Sequence, residues 1–292
     1  MPKQRYATAK AFRQALEARL QERARREGLV LQRIRRQLSF DRLLARLFAS
    51  QTEAPWALKG GYALELRFRS ARSTKDIDLT LRSGVLPAGA SETQRDRLRK
   101  HLQQSVSIDL ADFFEFLVRP ATLDLEAAPE GGLRYPVEAV MDGRIFAKFH
   151  VDIQIGDDVA DSLEVIEGGD WLAFLGIPRP RFFSIPREQQ WAEKFHAYTR
   201  PRLDRINTRA KDLIDLVLTR SGDLQPVRTL QFVRSTFGKR QTHDPPPEMP
   251  PPPTDCSRTF PALAEEVGIE PDIEIGYRYV SDWWLQIQRN AP

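Results

Sequence analysis

From Thr8 to about Ser50, apolar residues recur at helical spacing: Phe12, Leu16 and Leu20, then Leu29, Leu31, Ile34, Leu38, Leu43, Leu44 and Leu47. Residues three and four apart share one face of a helix, so this series predicts amphipathic helices with arginines on their other faces. Gly28 interrupts the pattern, and two helices joined near it are expected. The texture changes at Leu58. "WALKGG" reads as a short strand or turn leading into a helix over "GYALELRF". "DIDLTL" then alternates polar and apolar, the period of a strand with its acids on one face.

"SETQRDRLRKHLQQ" predicts a polar helix, and Phe113 to Ile155 several strands. Within that region "RYPVEAV" and "IFAKFHVDIQI" flank "MDGR", where Asp-Gly signals a hairpin. The helical period returns after "RFFSIP", first in "PREQQWAEKFHAYTR", with Pro186 suited to a first turn. "NTRAKDLIDLVLTR" follows with Asn207 as its cap, and then "VRTLQFVRST". "DPPPEMPPPPTD" fits neither helix nor central strand and predicts a semi-rigid extended linker. Beyond it, "TFPALAEEVG" and "IGYRYVSDWWLQIQ" are expected to dock back through Trp283 and Trp284.

The order of helices, a mixed region and helices again predicts an α+β fold with a mixed sheet, flanking helices and a helical C-terminal part. The expected division is 1–50 for the basic N-terminal helices, 51–185 for an α/β core and 186–292 for the helical part, with its Pro-rich linker at 244–253. Composition sharpens one point. The first fifty residues hold thirteen Lys/Arg against four Asp/Glu, a net +9, so the remainder of this +4 chain carries −5. Such asymmetry suggests a basic appendage that meets a polyanion, or equally a solvated helical face. With one cysteine, Cys256, there is no internal disulfide framework. With no long apolar run and no secretory-type apolar N-terminal segment, the expected location is the cytoplasm, away from membranes.

The candidate chemistry lies in the alternating strand. Asp76 and Asp78 project from one face, an arrangement that is costly unless a cation neutralises it. Mg²⁺ or Mn²⁺ suits such oxygen ligands and retains sites for water and substrate phosphate. Alone, an Asp-x-Asp pair reads more readily as a solvated strand face than as a metal site. Three companions shift the balance. Gly60 and Gly61 open a helix whose N-terminus can receive phosphate. "RSARSTK" places Arg69, Arg72, Ser73, Thr74 and Lys75 where cations and hydroxyls could hold a nucleotide tail. Asp152, in "FHVDIQI", would complete a carboxylate triad from an adjacent strand, or be one outward polar position beside His150 and Gln154.

These residues resemble the nucleotidyltransferase superfamily, marked by a glycine pair, Asp-x-Asp and a later acid. More narrowly, "LKGGYALEL", "RSTKDIDL", "EKFHA" and "RAKDLIDL" together look like the AbiEii-type toxins of toxin–antitoxin systems, from about Leu58 to Leu218. The resemblance implies a nucleotidyltransferase that moves NMP from an NTP, often a pyrimidine NTP, to the 3′ end of tRNA, restrained by a cognate antitoxin. It implies metal at Asp76 and Asp78, nucleotide phosphates at Gly61 and the Ser73–Thr74–Lys75 loop, a phosphate or base contact at Lys194, and an active-site acid at Asp212. Taken by themselves, Lys194 could snorkel from an apolar helix face, and Asp212 with Asp215 could be helix-surface ion pairs. His150 and His196 could be general bases or packed histidines. Two other functions remain open: transfer to a protein or small-molecule hydroxyl, and a catalytically silent binding protein whose acids are structural.

Overall fold

The computed structural model describes residues 6–49, 54–68, 72–82, 93–124, 131–156, 159, 162–201 and 209–289. Arg69 and Asn207 lie outside them. The N-terminal series forms α1 (Ala9–Glu27) and α2 (Leu31–Leu47), and Gly28 ends the first helix in the left-handed region at φ 64°. Thr8 caps α1 by accepting from Ala11 N–H. β1 (Trp56–Lys59) runs into α3 (Gly60–Arg67), and β2 (Asp76–Leu81) follows. After α4 (Gln94–Val106) come β3 (Glu115–Val118), β4 (Leu123–Asp124), β5 (Gly132–Met141) and β6 (Arg144–Gln154). The Asp142–Gly143 turn has φ of 55° and 64°, the mirror-image geometry that matches strand twist. β7 (Glu164–Glu167) and β8 (Arg181–Ser184) close the sheet, in the order β3-β5-β6-β2-β1-β8-β7 with β4 also paired to β5.

The sheet is mixed. β2 and β6 run parallel, as do β1 and β8, and the other pairs are antiparallel. Odd positions of β2 (Ile77, Leu79, Leu81) join Val151 and Ile153 in a core shared with Phe12, Leu16, Ile34, Leu38 and Leu98 from the helices. Phe40 of α2 meets Tyr62 and Phe149 edge-on, at 4.8 and 4.9 Å between centroids. Even positions of β2 face away from that core and carry the acids.

The C-terminal helices are α5 (Arg187–Thr199), α6 (Arg209–Ser221), α7 (Pro226–Arg240), α8 (Cys256–Val267) and α9 (Ile273–Arg289). They surround a second core in which Phe195 lies between Trp191 and Trp284, at 4.9 and 4.6 Å. Leu64 of α3 belongs to this second core while Tyr62 and Ala63 belong to the first, so one short helix joins the two. Pro186 stands one residue before α5, at its cap, rather than in the first turn.

Two expectations gain detail. The proline stretch is extended and lies as a packed strap against the helices. Met249 is buried, and the carbonyls of Pro246, Pro247, Met249 and Pro250 accept from Trp284, Gln288, Tyr277 and Tyr198. Proline lacks an N–H but keeps its carbonyl, so side-chain donors from the helices can fix such a segment. The N-terminal arginines are also largely committed internally. Arg35 pairs with Glu17, Arg33 with Glu65, and Arg13 donates to the Met141 carbonyl. Arg42 and Arg46 are buried on Asp112, both at 2.6 Å. Burial alone would raise the Asp112 carboxyl, but the two guanidinium groups outweigh it and hold it low.

Asp112→Ala would leave two buried guanidinium groups without their acid and should cost about 3–5 kcal/mol in urea unfolding. Arg25→Ala, removing an exposed pair with Glu22, should leave the same transition unmoved.

Candidate active site

The parallel register of β2 on β6 sets Asp78 opposite Asp152 and Asp76 opposite His150. Cross-strand partners share a sheet face, so these four side chains form one polar cluster. β1 adds Lys59 opposite Asp78, and β5 adds Arg134 opposite Asp152. Arg134 grips both Asp152 oxygens at 2.8 and 2.7 Å and reaches Asp76 at 3.3 Å. His150 Nδ1 lies 3.1 Å from the other Asp76 oxygen. Burial, and then repulsion from Asp152, push the Asp78 carboxyl up to about 6. Lys194 and Lys59 act on it in the opposite direction.

The glycine pair is explained by contact with this cluster. Gly60 has φ +66°, and a Cβ there would fall 2.0 Å from Asp78 Oδ2. Gly61 donates its N–H to the same oxygen at 3.3 Å, and a Cβ on it would meet Thr74 Oγ1 at 2.9 Å. The start of α3 therefore already serves one anion, the Asp78 carboxylate. Gln190 of α5 donates to the Gly60 carbonyl at 2.7 Å, and Glu193 binds Lys59 at 2.7 Å.

The basic loop is held from three sides. Arg36 of α2 donates to the Thr74 carbonyl at 2.9 Å and to Ser73 Oγ at 3.0 Å. Glu65 of α3 accepts from Thr74 N–H, and Glu266 of α8 accepts from Ser73 N–H. Lys75 is exposed beside Asp76. Arg72 turns toward α6 and makes two bonds to Asp215, at 3.0 and 2.8 Å.

Lys194 and the α6 acids meet this arrangement from the helical side. Lys194 Nζ lies 2.8 Å from Asp215 and 3.5 Å from Asp212. Burial alone would raise the Asp215 carboxyl, but Lys194 and then Arg72 hold it below the usual carboxylate range. Asp215, at 1% side-chain exposure, is thus the acid that organises both cations, with Asp212 at its edge. His196 lies apart from the acids and bonds Thr242.

Among the described residues, Gly60, Gly61, Asp76, Asp78, His150 and Asp152 therefore line one face, and Ser73, Thr74 and Lys75 adjoin it. Arg72, Lys194 and Asp212 meet it from the helical side around Asp215, and His196 stands apart. Sequence reasoning missed Arg134, Lys59, Gln190 and Glu193. Arg134 carried a faint signal, being a cation at an outward position of an alternating strand. The donors Asp76 and Asp78 are of the hard-oxygen kind that a divalent cation takes, two residues apart on one strand face. Among the described residues no three His, Cys, Asp or Glu side chains converge as a ready-made metal cage. The arrangement fits a cation held by few carboxylates and completed by water and phosphate.

Two contrasts test this geometry. Gly60→Ala should unfold at lower temperature and lose activity, since it drives a methyl into Asp78 and strains a left-handed residue by about 1–2 kcal/mol. Gly61→Ala, which would press on Thr74 Oγ1 and Cβ at 2.9 and 3.1 Å but carries no left-handed strain, should be milder on both counts. Asp215→Ala should cost about 3–5 kcal/mol in denaturant unfolding because Arg72 and Lys194 lose their shared acid, with Asp212→Ala clearly smaller.

Comparison with known proteins places the same elements in a known setting. Residues 42–272 match the family described as "Nucleotidyl transferase AbiEii toxin, Type IV TA system". No curated protein sequence matches the chain. Among solved structures, the fold is similar to MenT4, nucleotidyltransferase toxin Rv2826c from Mycobacterium tuberculosis H37Rv. That likeness has a TM-score of 0.54 at 14% identity over 94% of this chain and 97% of that one. JHP933 from Helicobacter pylori aligns at a TM-score of 0.46 and 14% identity, over 89% and 93% of the two chains. With the family match spanning most of the chain, including the glycine pair, both strand aspartates, Lys194 and Asp215, this protein belongs to the AbiEii family of nucleotidyltransferase toxins of toxin–antitoxin systems.

Proposed function

We propose that the toxin transfers NMP from an NTP, with preference for a pyrimidine NTP, to the 3′ end of tRNA in the cytoplasm, and that transfer requires Mg²⁺ or Mn²⁺. The observation that carries this reading is the placement of Asp76, Asp78 and Asp152 on adjacent strands, directly beside the glycine corner of α3. In this reading 51–185 carry the chemistry, while 1–50 and 186–292 brace it and shape the substrate's approach.

Asp76 and Asp78 hold the divalent ion, and Asp152 supplies the third carboxylate of the face. When bound, the ion neutralises these acids and the triphosphate together, lowering the charge cost of attack on the α-phosphate. Lys75, Ser73 and Thr74 hold the triphosphate tail, with Gly60 and Gly61 allowing its close approach. Arg72 and Lys194, oriented by Asp215, present positive charge from the helical side. Asp212 adjusts that pair. The acceptor's 3′-hydroxyl attacks in line and pyrophosphate departs.

Among the described residues the sheet face beside the acids is open, and the side chains of His150 and Lys148 are 43% and 63% exposed. That opening suits the flexible end of an RNA better than a buried small molecule. The family implies a cognate antitoxin as partner.

The test is direct. The purified chain is incubated with total tRNA, Mg²⁺ and each labelled NTP in turn, beside a folded Asp76→Ala/Asp78→Ala variant. Label on tRNA that the variant loses, and that EDTA abolishes, is expected. Label on protein would redirect the reading to a protein hydroxyl, and absence of transfer with every NTP would sink it.

A further inference from the structure

Four charged side chains stand in one row across the centre of the sheet. Lys59 of β1, Asp78 of β2, Asp152 of β6 and Arg134 of β5 are successive register partners. The two acids lie inside and the two cations outside. The outer cations differ in their commitments. Lys59 is neutralised from the helical side by Glu193. Arg134 faces the acids, holds both oxygens of Asp152 and spans to Asp76, with a side chain only 30% exposed.

A guanidinium bridging two carboxylates does what a bridging metal ion does: it brings like charges together and neutralises them in a fixed geometry. A bidentate carboxylate whose two oxygens already serve one cation, at 8% side-chain exposure, has little capacity left for a second. Charge balance gives the same result. Three carboxylates are neutralised by one guanidinium and one divalent ion, and a second divalent ion would leave the face strongly positive before any nucleotide arrived.

We propose that Arg134 is a positioning residue that acts as the second cation of this site, so that the free protein takes one divalent ion, at Asp76 and Asp78, and not two. The inference rests on the metal-dependent transfer reading, and it assigns this chain's own guanidinium to a place that a two-metal site fills with an ion. Arg134 acts through Asp152 and Asp76 by fixing their orientation and charge before substrate arrives. A lysine in its place would keep the charge but not the two-pronged grip.

The experiment counts bound Mn²⁺ by the electron paramagnetic resonance signal of the free ion, with no nucleotide or acceptor present. The wild type should bind one ion per chain. Arg134→Gln should bind two, and Arg134→Lys should return the count to one. Two ions on the wild type, a count left at one by Arg134→Gln, or no binding by either protein would overturn the proposal. Should Arg134→Gln not fold, the wild-type count still decides, because two ions there are incompatible with Arg134 filling the place. The count needs no turnover. A protein that transferred no nucleotide yet went from one ion to two would refute the reaction and retain the role of Arg134.

Discussion

The parallel register of β2 on β6 is the constraint around which the centre of this protein is arranged. It sets Asp78 against Asp152 in a closed environment, and burial, followed by repulsion from Asp152, raises the Asp78 carboxyl. Every neighbouring element supplies something that offsets it. β1 contributes Lys59, β5 contributes Arg134, α3 donates the Gly61 N–H, and α5 brings Lys194 near. Hydrophobic burial would not require these groups, because the opposite face of the same strands already fills the core with Ile77, Leu79, Val151 and Ile153. The outward face is polar for a different reason, which the proposed nucleotide transfer supplies: the handling of phosphate charge.

α3 couples that face to the rest of the molecule. Its first residue needs a left-handed backbone and the absence of a side chain, so that the chain can turn directly over Asp78. Its last residue, Arg67, is anchored to Gln190, Glu164, Ser184 and the Ile185 carbonyl, which fixes the helix against β8 and α5. Between these ends the helix contributes to both hydrophobic cores. Gln190 thus ties α5 to the Gly60 corner over Asp78, while Lys194, Asp215 and Arg72 tie α5 and α6 to the loop that precedes the acids.

Much of this was legible from residue patterns, and the gaps have physical causes. Alternation in "DIDLTL" placed both acids on one face, and the Asp142–Gly143 pair gave the hairpin. Arg134 was hidden by a single irregularity. Counting back from that turn pairs Met141 with Arg144 and Val140 with Ile145, and continued without change it would set Arg134 opposite Val151. A bulge after Ala139 admits Phe146 as an extra residue and shifts the pairing by one, which brings Arg134 onto Asp152 and aligns the apolar positions of both strands. A bulge has no compositional marker, so the counterpart of the third acid could not be read off. Lys59 and Glu193 were missed because their pairing spans the two cores, beyond any local period.

The basic N-terminal segment teaches a related lesson about charge. Its excess over the first fifty residues suggested a surface for a polyanion, yet a charge count records no direction. Arg42 and Arg46 neutralise buried Asp112, and Arg33 neutralises Glu65, so part of the segment's +9 offsets acids belonging to the −5 remainder. Arg36 goes further and fixes the Ser73–Thr74 loop by its hydroxyl and carbonyl oxygens. The helices thus act on the site by shaping its loop and its neighbours. The polar surface that leads to the acids is instead the open side of β5 and β6, where Arg134, His150, Glu138 and Lys148 follow one another outward. That surface mixes signs, with Glu138 paired to Lys148 and Arg134 to Asp152, so its charge is neutralised locally and not gathered into one basic patch.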